Sequence, residues 1–407
     1  MKKSDLKKYA KLIVKVGANV QKNQSVIINA SIENANFVKM VVEECYKARA
    51  RDVRVDWTFD ELTVLHYKYQ KLETLSEVKP WVEERAKDMV TTLPCRIFID
   101  SDDPDAFKTI DQEKMIKSRQ AVGKVLKKYR EAIDNKHQWT IVGFPGEKWA
   151  LKVFPQEKKT KAKELLWDAI YKTTRLEGNP IENWRNHAKF IHEKCDFLNK
   201  LNIKSLHYKS KNGTDFTVGL TGKTLFHGGS VATLSGVVYD PNMPTEECYT
   251  SPDPNTACGV VYATKPLSLF GTVLKDFGFR FENGKVVEVL GGALEKEVLS
   301  EFIKMDEGAS RLGEVALVPF DSPVNQTGLL FFNTLYDENA CCHLALGAAF
   351  NDCINGFENM TEEEMKSVGL NDSVIHTDFM IGAPDLEITA NTFEGKVVPI
   401  FKNGTWA

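Results

Sequence analysis

The sequence predicts two domains: an α/β N-terminal domain with a mostly parallel sheet, and a larger, mainly antiparallel α+β domain after it. Three observations lead there. Apolar strand-like runs alternate with helical stretches through the first part of the chain, and such alternation implies a parallel sheet with helices on its faces. Later, Asn-Gly and Glu-Gly pairs separate strand-like runs, the chemistry of tight antiparallel hairpins. At 407 residues the chain is too long for one ordinary compact core and long enough to bury a substantial one in each of two domains.

Leu6, Tyr9, Ala10, Ile13 and Val14 recur at helical spacing, and Ser25-Val-Ile-Ile-Asn29 reads as a short buried strand. A helix follows, with Phe37, Val41, Cys45 and Ala48 along one face. Val53-Arg-Val55-Asp-Trp57 and Cys95-Arg-Ile-Phe-Ile-Asp100 are the next strands; a long helical stretch to about Ile133 then leads to Trp139-Thr-Ile-Val-Gly143. None of these strands opens into a Gly-x-Gly-x-x-Gly or Walker-type phosphate loop; Val16-Gly17-Ala18-Asn19 follows a helix and has the wrong spacing. The first domain therefore reads as a scaffold or a substrate wall.

A highly charged stretch, Gln156 to Glu164, precedes another helix, and the break at Gly178-Asn179-Pro180 sets a boundary near residue 185. The division is 1–185 and 186–407. In the second part Asn212-Gly213, Asn283-Gly284, Glu394-Gly395 and Asn403-Gly404 supply residues that tolerate positive φ between strands. Helices interrupt the sheet at Leu294 to Lys304 and at Thr361 to Val368, where Thr361-Glu-Glu-Glu364 has capping-box spacing.

Charge and composition exclude several classes. With 53 basic against 56 acidic residues, the formal charge is −3, without the excess that a phosphate backbone attracts. No nucleic-acid partner is expected. Lys7, Lys8, Lys11 and Lys15 break up any signal-peptide core after Met1, and no stretch is long enough to span a bilayer. The eight cysteines show no Cys-x-x-Cys spacing, and Cys341-Cys342 are adjacent. Adjacent cysteines rarely suit a structural disulfide, so the thiols read as reduced, in a cytoplasmic protein.

Six metal-competent side chains gather in the last two fifths of the chain: Glu246, Glu247, Glu314, His343, His376 and Asp378. Carboxylate and imidazole donors together suit one or two zinc-like ions, which can make water a nucleophile near neutral pH. Each has a plainer reading. On a strand, His376 and Asp378 face the same way, yet a surface His-x-Asp pair does so too. Glu314 heads the apolar run Leu312-Gly-Glu-Val-Ala-Leu-Val-Pro319; if the strand includes it, the buried charge needs a partner, and if the strand starts at Val315 the carboxylate is solvated. His343 beside Leu344-Ala-Leu-Gly347 could be a satisfied core histidine. Extended geometry turns only one of Glu246 and Glu247 toward any given site.

Taken in order, Asn242-Met-Pro-Thr-Glu-Glu247 with Thr250 and Pro252, Lys265-Pro-Leu-Ser268, Leu312-Gly-Glu-Val-Ala-Leu-Val-Pro319, Asp337-Glu-Asn-Ala340, His343-Leu-Ala-Leu-Gly347 and His376-Thr-Asp-Phe-Met-Ile-Gly382 resemble one family. It is the aminopeptidase T, aminopeptidase S and PepS metallo-aminopeptidases. Weaker likenesses, such as Trp149-Ala150 with Val153-Phe-Pro155, extend the resemblance to nearly the whole chain.

The resemblance implies a cytoplasmic exopeptidase acting on peptides with a free N-terminus through two divalent ions, zinc, cobalt or magnesium and manganese. It also implies a homodimer whose catalytic domains enclose an internal cavity. Carried over by motif, the ligands are a glutamate of the Glu246-Glu247 pair, with Glu247 preferred, and Glu314, His343, His376 and Asp378. The other glutamate would move a proton or meet the substrate's amine. One departure matters: the family's active-site tyrosine falls at Phe350, where the hydroxyl is missing. Cys248 and Cys342 also stand where small non-thiol residues are expected, which makes them candidate additional ligands. Two rival readings are a weakened metal- and peptide-binding pseudoenzyme and a metal-dependent amidase.

Overall fold

The computed structural model describes residues 1–269 and 272–407. They form two compact units, Met1–Arg185 with Ser230–Pro244, and Asn186–Gly229 with Thr245–Ala407.

The first unit holds a parallel sheet whose strands run in the order Asp52–Thr58, Ser25–Ser31, Cys95–Asp100, Trp139–Gly143 and Asn242–Met243. Val26, Ile28, Ile97 and Val142 are almost completely buried within it. Between strands run the helices Ala35–Lys47, Pro80–Thr92 and Gln112–Ile133, the crossovers that parallel pairing requires. Asp111 caps the last of these by accepting a hydrogen bond from the Lys114 amide at 2.9 Å, satisfying one of the donors that a helix start leaves open. The fifth strand comes from Ser230–Pro244, which lies past the residue-185 boundary yet belongs to this unit. Asn242 and Met243 complete the sheet by pairing with Ile141 and Val142.

The second unit contains an eight-stranded and a four-stranded antiparallel sheet. All four sequence-predicted hairpins form. Asn212-Gly213, Asn283-Gly284, Glu394-Gly395 and Asn403-Gly404 each join two paired strands. At Asn283-Gly284 the φ angles are 50° and 82°, the left-handed pair that a type I′ turn demands. The helices Ala293–Phe302 and Glu362–Ser367 fall where expected. Thr361 and Glu364 make both bonds of a capping box.

The core of this unit lies between its two sheets. Phe279, from the larger, meets Phe379, from the smaller, edge-on at 5.1 Å, and Phe216, Phe281, Leu344 and Leu346 join the same cluster. Among the described residues no helix is long and apolar enough to cross a membrane.

Candidate metal centre

The smaller sheet orders its strands Cys248–Thr250, Leu312–Leu317, His343–Gly347 and His376–Met380. Side chains alternate across a sheet, and here the alternation separates chemistry from packing. Cys248, Val315, Leu317, Leu344, Leu346 and Phe379 face the apolar core. The opposite face carries Glu314, His343, His376 and Asp378, with Glu247 at the head of its strand.

Register brings them together. Glu314 pairs with Ala345, and Ala345 with Asp378. Strands two apart in a sheet are separated by about 10 Å, so the two carboxylates can converge only over a small residue, which Ala345 is. The pairing breaks between Leu312 and Glu314, an irregularity of the kind that re-aims a side chain. Gly313 permits it: a Cβ there would lie 2.2 Å from the Ala348 carbonyl oxygen.

His343 Nε2 lies 3.3 Å from Glu247 and 3.9 Å from Glu314, while His376 Nε2 lies 3.1 Å from Glu314 and 3.3 Å from Asp378. Two ligand-competent groups result, Glu247–Glu314–His343 and Glu314–His376–Asp378, with Glu314 in both. The other ring nitrogen of His376 lies 2.7 Å from the Ala348 carbonyl oxygen, and that of His343 lies 3.4 Å from the Cys341 carbonyl oxygen. Donation to a carbonyl from Nδ1 leaves Nε2 available as a ligand atom on each ring.

The charges are strongly coupled. Burial, then repulsion from Asp378, raises Glu314 to about 7, although the His376 hydrogen bond opposes the rise. Burial disfavours the charge on His343, but Glu247 and Glu314 overcome it and lift the imidazole to about 10. His376 is raised to about 11 by Asp378 and Glu314, again against burial. For Asp378, burial works upward, but the two histidines win and hold it below the usual range. Its Oδ1 is buried and makes no well-formed hydrogen bond, only the 3.3 Å ion-pair contact with His376. An acceptor left in that state fits a cation.

Glu246 turns elsewhere. Its carboxylate lies 3.6 Å from His187 Nε2, and its amide donates to Asn339 Oδ1 at 2.6 Å; it is in neither ligand group. Phe350 lies beside the site, its ring 4.9 Å from that of His376. Cys248 and Cys342, candidate ligands by sequence, belong to the apolar core on the opposite face, and burial raises both thiols far above their ordinary range.

Two residues of this region were missed at the sequence level. Glu338 is held well above the usual carboxyl range by burial and by Glu247 and Asp378; in sequence it stands only within the block Asp337-Glu-Asn-Ala340, with no role attached. Tyr249 shares the face of Glu247, which counting by two along the strand could have revealed.

The whole chain resembles several known proteins. The chain is 42% identical to aminopeptidase AmpS of Bacillus subtilis, and 37% identical to aminopeptidase T of Thermus thermophilus, with 99% of this chain and 98% of each relative covered. The solved structure of wild-type AmpT from Thermus thermophilus superposes with a TM-score of 0.91, covering 100% of this chain and 99% of that one at 37% identity. The family model described as thermophilic metalloprotease (M29) matches residues 2–406, and the chain belongs to that family.

Proposed function

We infer that the chain is a metal-dependent aminopeptidase in which Glu247, Glu314, His343, His376 and Asp378 hold two divalent ions, with Glu314 shared between them. The observation that carries this is the pair of overlapping ligand groups. The two groups share Glu314 and use different histidines, His343 and His376, so each can serve one ion.

Bound there, such ions would lower the pKa of a coordinated water and polarise the carbonyl of the bond to be cut. The protein's own groups do the rest. The Ala348 and Cys341 carbonyls hold the two rings in one tautomer and orientation. Glu246 faces His187 and lies outside both ligand groups, so we leave it out of the metal site. Zinc or cobalt suits the mixed nitrogen and oxygen donors better than magnesium. Peptides with a free N-terminus as substrates, a homodimer and a cytoplasmic setting complete the reading, as the family resemblance implies.

The test is a panel of amino-acyl anilides and short peptides, unblocked and N-acetylated, with chelator and with zinc or cobalt restored. Metal-dependent turnover confined to unblocked substrates is expected. Equal turnover of the acetylated series would favour an amidase instead, and metal retention without turnover a binding protein.

A further inference from the structure

Phe350 leaves the site without a hydroxyl at its own position, but its ring meets that of Tyr249 edge-on at 5.4 Å. Tyr249 follows Glu247 by two residues and so shares its face of the strand. It pairs across to Ala316, and Ala316 to His343. The row on the ligand face therefore reads Tyr249, Ala316, His343. Ala316 offers only a methyl group, so no large side chain stands between Tyr249 and His343 in that row.

The backbone of Tyr249 is also held in place. The Tyr249 amide donates to the His227 carbonyl at 2.8 Å, and the His227 amide donates back at 2.9 Å. The His227 ring stands 6.4 Å from the Tyr249 ring, and the Phe350 ring 5.4 Å from it. Ser251 ties the two segments: its hydroxyl accepts from the Phe350 amide at 2.9 Å and donates to the Phe350 carbonyl at 3.2 Å. Donors fixed before the reaction begins stabilise developing charge best.

We propose that Tyr249 is a catalytic residue, its neutral phenol donating a hydrogen bond to the carbonyl oxygen that becomes negative during hydrolysis, in place of the hydroxyl absent at Phe350. The proposal rests on the aminopeptidase reading. The phenol neither gains nor loses a covalent bond: water adds to the carbonyl carbon, the carbon–nitrogen bond breaks, and the proton that the water gives up leaves on the amine. Near neutral pH a tyrosine is protonated and able to donate.

The experiment compares the full-length protein with Tyr249→Phe, Phe350→Tyr and the double variant, measuring kcat, KM and bound metal on an unblocked amino-acyl anilide. Tyr249→Phe should lower kcat by about 10²–10³-fold with metal content unchanged and KM within about threefold. The double variant should recover at least about tenfold of that loss, which a merely structural role for Tyr249 would not allow. A Tyr249→Phe variant within twofold of the parent overturns the proposal, as does a loss of rate matched by a loss of metal. A parent with no aminopeptidase activity overturns the reading beneath it, and the proposal with it.

Discussion

Glu314→Gln is the most informative single change, because Glu314 belongs to both ligand groups and is only 4% exposed. The amide keeps the shape and one acceptor oxygen but removes the charge that faces two imidazoles, at 3.1 Å and 3.9 Å. Breaking a buried ion pair costs about 3–5 kcal/mol; because glutamine still accepts from one ring, the lower end, about 3 kcal/mol, is expected for the metal-free protein. The comparison belongs at pH 8, since burial lifts Glu314 to about 7 and the parent must carry its charge. Metal binding should suffer more. Losing even an outer partner of a ligand weakens metal affinity about 10–100-fold, so losing a shared ligand should exceed about 100-fold. At fixed free metal well above the parent's Kd, that removes about 2.7 kcal/mol of metal-linked stabilisation. Metal analysis after dialysis, competition with a chromophoric chelator and thermal unfolding with and without chelator read these effects. A variant with normal metal occupancy and a normal chelator-induced shift would remove Glu314 from the site and refute the shared-ligand argument.

Glu247→Gln and Glu246→Gln should separate cleanly, the first losing metal and the second retaining it, because only Glu247 faces His343; metal content decides, and loss in both variants would contradict the assignment. In the metal-free protein His343 and His376 are held charged to about 10 and about 11, whereas a metal needs neutral rings. Cobalt binding at pH 7.5 should therefore displace at least two protons, seen in calorimetry across buffers of different ionisation enthalpy; no release would mean that the rings are neutral beforehand. Because both folded values lie above the ordinary 6.5, their pairing stabilises the metal-free fold fully below pH 6.5 and is lost as pH rises through about 10. In chelator, the melting temperature of the parent should fall over that window more than that of His376→Gln. Finally, Cys258 is exposed and the other seven cysteines are buried, so brief iodoacetamide treatment of the native protein should add one label by mass spectrometry; rapid labelling of a second thiol would contradict the packing.

Legibility in the sequence followed the range of the interaction. The hairpin at Asn403-Gly404 could be read because a left-handed turn depends on its own two residues. The helix after Thr361 could be read because its capping box closes within four residues. Glu314 could not be settled, since buried strand and solvated strand-start differ only by where pairing begins, and its partners His343 and His376 lie far along the chain. Glu246 and Glu247 stayed ambiguous for the same reason: alternation shows that they point opposite ways, but not which way is inward. Segment 230–244 was assigned by position, whereas its place was decided by the pairing of Asn242 and Met243 with a distant strand edge.

By itself, then, the sequence determined the alternation of strands and helices, the hairpin turns, the donor types and the family likeness, because each is carried by neighbouring residues or by ordered motifs. Only the tertiary structure decided that Glu247 rather than Glu246 meets His343, that Glu314 stands between two histidines, and that Tyr249 and Glu338 belong to the same region. Those outcomes depend on strand register in the smaller sheet, where one residue of slip in a strand would turn its candidate ligands into the apolar core, and no local stretch of sequence contains that register.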